Sequence, residues 1–98
     1  MYKIEYLRGA NANFEEIIKY YDNIDTDISD KVGGDILECI ESLETMPLRF
    51  PKHRQRPQYR WCGVHSYMIF YKVIEDTKTV EIHRILHSSR EIENILID

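Results

Sequence analysis

The first residues of the chain alternate between apolar and polar side chains. Tyr2, Ile4 and Tyr6 are separated by charged residues. A period of two residues is typical of a half-buried β-strand. We therefore predict a strand over residues 2–7.

Two stretches with helical spacing follow this strand. Asn13 and Glu16 have the spacing of a helix cap and its returning carboxylate, which predicts a first helix over residues 13–23. A second helix is predicted to begin near Thr26 or Asp27 and to end before Pro47. Ile28 and Val32 start the apolar repeat of this second helix. The helical positions expected to form the core are Ile17, Ile18, Tyr21, Ile36, Ile40 and Leu43.

A pair of glycines lies inside the second predicted helix. Gly33 and Gly34 each weaken a helix by up to about 1 kcal/mol relative to alanine. The pair therefore predicts either a close approach of the two helices or a bend.

The second half of the chain has the pattern of two β-hairpins. Residues 47–58 hold all three prolines and no acidic residue, which predicts an extended basic loop. The three strands that follow are predicted over residues 59–64, 67–74 and 79–86, with turns at 63–66 and 75–78. Residues 88–96 have the spacing of a short closing helix.

This order of elements predicts a single α+β domain over residues 1–98. The arrangement is β-α-α-β-β-β(-α), in which a helical hairpin covers one face of a small, mainly antiparallel sheet. We expect the other face, together with the basic loop, to be open to solvent.

Composition agrees with a small folded domain. The 98 residues are 43% hydrophobic and 31% charged, and this size allows one core. Apolar runs are far shorter than the roughly 20 residues that cross a bilayer, and the first residues do not form a secretory signal. We expect no membrane contact and a cytoplasmic location.

Charge is distributed unevenly along the chain, although the net charge is only −4. Residues 1–46 carry −7, residues 47–84 carry +5 and residues 85–98 carry −2. Such separation is typical of a protein in which one surface meets a polyanion or an acidic partner. A chance clustering of charges on a solvated face explains it equally well.

The positive charge is concentrated in one short segment. Five permanent cations, Arg49, Lys52, Arg54, Arg56 and Arg60, fall within twelve positions and repel one another unless an anion lies nearby. Phosphate and an acidic peptide are the two candidates. The interleaved aromatic residues, which would either stack bases or simply form the sheet core, are Tyr59, Trp61, Tyr67 and Tyr71.

The sequence gives no indication of a metal or a cofactor. His83 and His87 would be about 13 Å apart on one strand, which is too far for one ion to bind both. Cys39 and Cys62 form no CxxC motif, and we expect them to be reduced and structural. His87, at a strand end, is the better candidate for a general acid or base, although a structural role is more common for such a residue.

Four segments together resemble the RelE/ParE family of toxins from bacterial type II toxin–antitoxin, or plasmid stabilisation, systems. These segments are IEYLRGANANFEEIIKYY, ILECIESLETMPLRFP, YRWCGVHSYMIFYKV and VEIHRILHSSRE, and they cover nearly the whole chain in order. The resemblance implies the β-α-α-β-β-β fold and a cognate antitoxin that wraps the toxin.

The two branches of this family imply two different functions. ParE-like members bind DNA gyrase and block or poison it. RelE-like members are ribosome-dependent mRNA endoribonucleases that use basic and tyrosine side chains and no metal. In that second case, Arg60 and Arg90 would bind phosphate and His87 would move a proton. A homodimer is also left open by the sequence.

Departures from the ribonuclease pattern favour the ParE-like branch and growth inhibition through gyrase. Met68 and Ser88 stand where ribonuclease members commonly have basic residues, and the tail EIENILID lacks their tyrosine. The net negative charge is unusual for either branch. The residues expected to form the target-binding surface are Arg54, Arg56, Arg60, Arg84, His87 and Arg90.

Overall fold

The computed structural model describes residues 1–89. The predicted closing helix at 88–96 and Arg90 lie outside the described residues. The helices and strands are β1 (Lys3–Tyr6), α1 (Arg8–Asp22), α2 (Thr26–Ser42), β2 (Arg60–Val64), β3 (Tyr67–Ile74) and β4 (Thr79–His87), with one 3₁₀ turn at Glu75–Thr77. The predicted element order is confirmed.

The four strands form one sheet in the order β1-β4-β3-β2. The β2–β3 and β3–β4 pairs are antiparallel, whereas β1 runs parallel to β4 with Lys3 opposite Thr79 and Tyr6 opposite Ile82. The first and last strands of the described chain are therefore neighbours. The two-residue turn His65–Ser66 joins β2 to β3, and His65 adopts a positive φ of 55°.

The first helix begins five residues earlier than predicted, because it follows directly from β1. The Leu7 N–H donates to the carbonyl of Ile82 and the Leu7 carbonyl accepts from Asn11 N–H. Leu7 is the N-cap and contributes no side-chain hydrogen bond. The predicted cap at Asn13 is wrong.

The second helix begins at the predicted place but ends earlier than predicted. Asp25 is its N-cap, with the side chain accepting from the Asp27 N–H at 2.8 Å. The helix ends at Ser42 rather than continuing to Pro47. Ile28 does not face the core as its spacing predicted, since it is 43% exposed. Ser29 is buried instead, and its hydroxyl is satisfied by donating to the carbonyl of Ile18.

Helical residues and strand residues form one main core between the two layers. Ile17, Ile36, Ile40 and Leu43 are buried as predicted, while Tyr21 packs at the margin. Gly33 explains the close approach of the helices, since a Cβ at this position would lie 2.7 Å from Ile18 Cδ1.

The second face of the sheet is not open, contrary to expectation. Tyr59, Phe70 and Leu86 form a second small cluster there and are at most 2% exposed. Phe70 and Leu86 directly follow main-core residues of their strands, so their side chains lie on the opposite face of the sheet. These apolar side chains are buried only if another segment covers that face. Residues 51–59 provide it by folding back over the sheet.

Candidate functional site

The segment that covers the second face is held by its own hydrogen bonds. His53 N–H donates to the Tyr59 carbonyl at 2.8 Å, and Trp61 N–H donates to the Pro51 carbonyl at 3.1 Å. The Nδ1 atom of His53 accepts from the backbone N–H groups of Gln55 and Arg56. Residues 51–59 are thus a compact turn rather than the extended loop that was predicted.

This turn and the edge of the sheet enclose an open groove of about 760 Å³. Trp61 and Met68 give the groove an apolar floor, and the exposed side chains of Lys52 and Arg54 line it. The remaining lining residues are Pro51, His53 and Gln55. Among residues 1–89, no carboxylate lines the groove, so this part of the chain is suited to a partner with apolar and anionic groups side by side.

A β-bulge in β4 brings Arg84 to the same side of the sheet. Tyr71 pairs with Ile82 and Phe70 pairs with Arg84, so His83 is an extra residue in the ladder. Regular alternation would place Arg84 on the helical side with Ile82, whereas the bulge places it opposite Phe70 on the second face. Bulges that redirect a side chain in this way are common at functional sites.

Arg84 lies in a second cavity, between the bulge and the start of α1. Its Nη1 donates to the His83 carbonyl at 2.8 Å, and a Cβ on Gly9 would collide with the guanidinium. The cavity measures about 650 Å³ and is lined by Leu7, Arg8, Gly9, Ala12, Lys72, His83 and Arg84. Three permanent cations therefore converge at this edge of the sheet.

We call the surface formed by Arg8, Lys52, Arg54, Lys72 and Arg84 the basic face. The aromatic ring of Tyr59 lies between its two halves, with Lys72 Nζ 4.8 Å from the ring centroid and His83 in edge contact with the ring. Glu81 also lies on this side and pairs with His83, the two side chains being 3.2 Å apart. The charge separation along the chain thus becomes a separation between the acidic helical layer and the basic face.

Arg60 does not belong to the basic face. Arg60 stands two residues before Cys62 in β2, so the two side chains share one face of the strand. Cys62 is buried in the main core, and the side chain of Arg60 therefore lies on the helical side. There its Nη1 donates to the carbonyls of Phe50 at 2.7 Å and Leu48 at 3.3 Å. The guanidinium therefore fixes residues 48–50 against the sheet.

His87 is exposed at the end of β4 and also lies on the helical side. Its Nδ1 is 2.7 Å from Ser89 Oγ, and its ring is in edge contact with Tyr67. Arg60 pairs with Tyr71 and His87 pairs with Tyr67. Tyr67 and Tyr71 are four residues apart along β3, and β2 and β4 are two strand spacings apart across the sheet. Together these displacements separate the Cα atoms of Arg60 and His87 by roughly 16 Å. The structure does not bring these two candidates together.

The remaining candidates divide between the basic face and the loop. Arg54 and Arg84 both lie on the basic face. Arg56 is partly buried in the turn, where its carbonyl accepts from the Tyr59 N–H. Sequence reasoning missed Lys72, although Lys72 shares the strand face of Phe70 by simple alternation. It also missed Arg8, which stands at the unpredicted start of α1.

Two features were sought among residues 1–89: a group of metal-binding side chains and a helix of membrane-spanning length. No three histidine, cysteine or acidic side chains in this part of the chain are grouped to hold a metal ion. No helix within the same residues is long and apolar enough to cross a membrane.

The fold is that of the small RelE/ParE-type toxins. Residues 4–92 match the family of the ParE toxin of type II toxin–antitoxin systems, parDE. The chain belongs to this family, which confirms the resemblance found in the sequence. Among curated proteins, none matches the chain significantly.

Solved structures agree on the fold. The chain is similar to one from the chromosomal ParDE toxin–antitoxin system of P. aeruginosa, with 21% identity and a TM-score of 0.77 over 89% of this chain and 96% of that one. It is also similar to one from the toxin–antitoxin complex RelBE2 of Mycobacterium tuberculosis, with 19% identity and a TM-score of 0.64 over 88% and 96%. The isolated E. coli RelE toxin is similar at 16% identity and a TM-score of 0.54, over 97% and 94%.

Proposed function

We propose that this toxin inhibits DNA gyrase by binding to it, and that a cognate antitoxin neutralises the toxin. The observation that carries the proposal is the basic face, where Arg54 lies beside the partly exposed side chains of Trp61 and Met68 and Arg84 lies in the cavity at the bulge. Guanidinium groups form charge-assisted, often bidentate contacts with carboxylates, and such contacts add orientation as well as energy.

The two halves of the basic face serve different parts of this binding. In the groove, Trp61 and Met68 offer an apolar anchor of the kind that dominates interface energetics, with Lys52 and Arg54 as its polar rim. At the bulge, Arg84 and its neighbours add positive charge. Complementary charge speeds the encounter with an acidic target surface and fixes its register.

The distance between Arg60 and His87 supports binding rather than catalysis. A general acid or base must lie within hydrogen-bond reach of the group it serves, and a phosphate held at Arg60 would be far from the His87 ring. Arg60 also uses its Nη1 to bind two backbone carbonyls of its own chain. The RelE-like alternative, ribosome-dependent mRNA cleavage, therefore has less support.

We also propose that the antitoxin occupies the groove of the basic face. An antitoxin segment with alternating acidic and apolar side chains would match Arg54 and Lys52 on one side and Trp61 and Met68 on the other. Such a segment would compete directly with the gyrase surface. Neutralisation would then be a simple competition between two partners for one groove.

A supercoiling assay with purified gyrase tests the target. The double variant Arg54→Glu/Arg84→Glu should inhibit roughly tenfold more weakly than the parent, a loss of about 1.4 kcal/mol. Lys19→Glu is the control, because Lys19 is exposed on α1 in the helical layer and undergoes a charge reversal of the same kind at one position. This control should inhibit as strongly as the parent.

Three results would contradict the proposal. If the parent chain does not inhibit gyrase at all, gyrase is not the target. Equal loss of inhibition in the Lys19→Glu control would show that the basic face is not the contact surface. Cuts at codon positions in mRNA during translation, with supercoiling unaffected, would replace the proposal with ribosome-dependent cleavage.

A further inference from the structure

The two cysteines of the chain meet in the fold, although they are 23 residues apart in sequence. Cys39 in α2 and Cys62 in β2 are both free thiols, and their Sγ atoms are 2.8 Å apart. A small movement of either side chain would bring the sulfurs to the ~2.05 Å of a disulfide. This contact could not be predicted from the sequence, because the two cysteines form no recognisable motif.

The two sulfurs differ in their access to solvent. Cys62 is 1% exposed in the main core. Cys39 is partly exposed and lines a cavity of about 280 Å³ together with Asp35, Glu38, Ser42 and Arg49. A small oxidant can therefore reach Cys39 from this cavity, whereas Cys62 is shielded by the core.

The electrostatic surroundings of the two thiols differ in the same sense. The hydrogen bond from the Cys62 thiol lowers the pKa of Cys39, and the positive charge of Arg49 lowers it further against the opposing effect of burial. The hydrogen bond to Cys39 and burial both raise the pKa of Cys62. Cys39 is thus the thiol of the pair that loses its proton first, while Cys62 keeps its proton.

Arg49 is held beside Cys39 by a short relay. Arg49 Nη2 donates to Ser42 Oγ at 2.9 Å, and that hydroxyl donates to the carbonyl of Cys39 at 2.6 Å. A thiolate near a fixed guanidinium is the usual setting of a reactive cysteine. The carboxylates of Asp35 and Glu38 line the same cavity and oppose this effect.

We propose that Cys39 and Cys62 form an oxidation site at which a hydroperoxide converts the two thiols into an intramolecular disulfide between α2 and β2. The Cys39 thiolate attacks one peroxide oxygen, the O–O bond breaks and hydroxide leaves, which gives a sulfenic acid on Cys39. The Cys62 sulfur then attacks the Cys39 sulfur, losing its proton as the S–O bond breaks and water leaves. With hydrogen peroxide, two thiols and one peroxide give one disulfide and two waters.

Hydrogen peroxide treatment of the full chain, followed by intact mass and peptide mapping, tests this site. The expected product is a monomer that has lost two hydrogen atoms, with the Cys39 and Cys62 peptides linked until a thiol reductant is added. In Cys62→Ser, a dimedone adduct of sulfenic acid should accumulate on Cys39. In Cys39→Ser, oxidation of Cys62 should be roughly tenfold slower, because that thiol is buried.

Other outcomes would overturn the proposal. An unchanged mass, oxygen addition without a linked peptide pair, or disulfides only between separate molecules would each show that the pair is not an oxidation site. Peptide mapping of the parent chain decides the question even if a serine variant fails to fold. Arg49→Gln offers a finer check: its sulfenic acid should form more slowly, while the final disulfide should be the same.

Discussion

Asn13 Oδ1 accepts a hydrogen bond of 3.0 Å from the backbone N–H of Ile85. β1 ends at Tyr6, so this part of β4 has no strand on that side and α1 lies there instead. The amide of Asn13 supplies the acceptor that a longer β1 would have provided. A side chain predicted to cap a helix thus completes the sheet.

Replacement of Asn13 should destabilise the fold through the sheet rather than through the helix. Asn13→Ala leaves the Ile85 N–H without its acceptor, and an unsatisfied, partly buried donor costs about 1–3 kcal/mol. Urea unfolding measures the loss, and hydrogen exchange at the Ile85 amide locates it. Asn13→Asp keeps the acceptor and should lose less. Equal loss in both variants would contradict this role.

Arg60 should prove to be a stabilising residue. Arg60→Ala removes the hydrogen bonds to the carbonyls of Phe50 and Leu48, and charged hydrogen bonds of this kind are worth about 1.5–3 kcal/mol. Because the Arg60 guanidinium is partly exposed, we expect the free energy of unfolding to fall by about 1.5 kcal/mol, the lower end of this range. Arg54→Ala, at an exposed position of the same basic segment, should change stability by about 0.5 kcal/mol or less. A reversed order of the two variants would disprove the assignment.

The two adjacent glycines of α2 should respond differently to alanine. A Cβ at Gly34 meets nothing within 4 Å, so Gly34→Ala should stabilise the protein by about 0.5–1 kcal/mol through helix propensity. Gly33→Ala must displace Ile18 Cδ1, and this strain should cancel the gain. Thermal unfolding compares the pair. The same increase in Tm for both would mean that the helices do not require glycine at their contact.

The contact between Asp35 and His65 predicts an acid-dependent contribution to stability. Asp35 Oδ2 lies 2.7 Å from His65 Nε2, and the hydrogen bond from His65 lowers the pKa of Asp35, with Lys31 acting in the same direction against desolvation. A lowered pKa in the folded state stabilises the protein above the unfolded pKa of about 3.9, and this contribution disappears as the pH falls through the folded value.

The variant Asp35→Asn should therefore be less stable than the parent at pH 7. The difference should shrink progressively below about pH 4. Urea unfolding at pH 7 and at pH 3 measures it. Glu38→Gln is the control, since Glu38 is an exposed carboxylate on the same helix. A constant difference between Asp35→Asn and the parent at both pH values would refute the coupling.

Local sequence signals predicted the elements well and their long-range partners poorly. Within residues 1–89, the apolar spacings located the strands and the two helices because the residues that face the main core recur with the period of a strand or a helix. The start of α1 was misplaced because the Leu7 N–H bonds to Ile82, which lies far away in sequence. Alternation could not reveal the bulge at His83, although Arg84 owes its position on the basic face to that bulge. The contact between Cys39 and Cys62 depends on how α2 packs on β2, and no local pattern encodes it.

The parallel pairing of β1 with β4 also has a consequence for synthesis. Residues 3–6 find their partners only at residues 79–82, and contacts between distant residues form late in folding. A chain still being translated cannot finish its sheet until residue 82 has left the ribosome. The toxin fold is therefore complete only after β4 has emerged and taken β1 beside it.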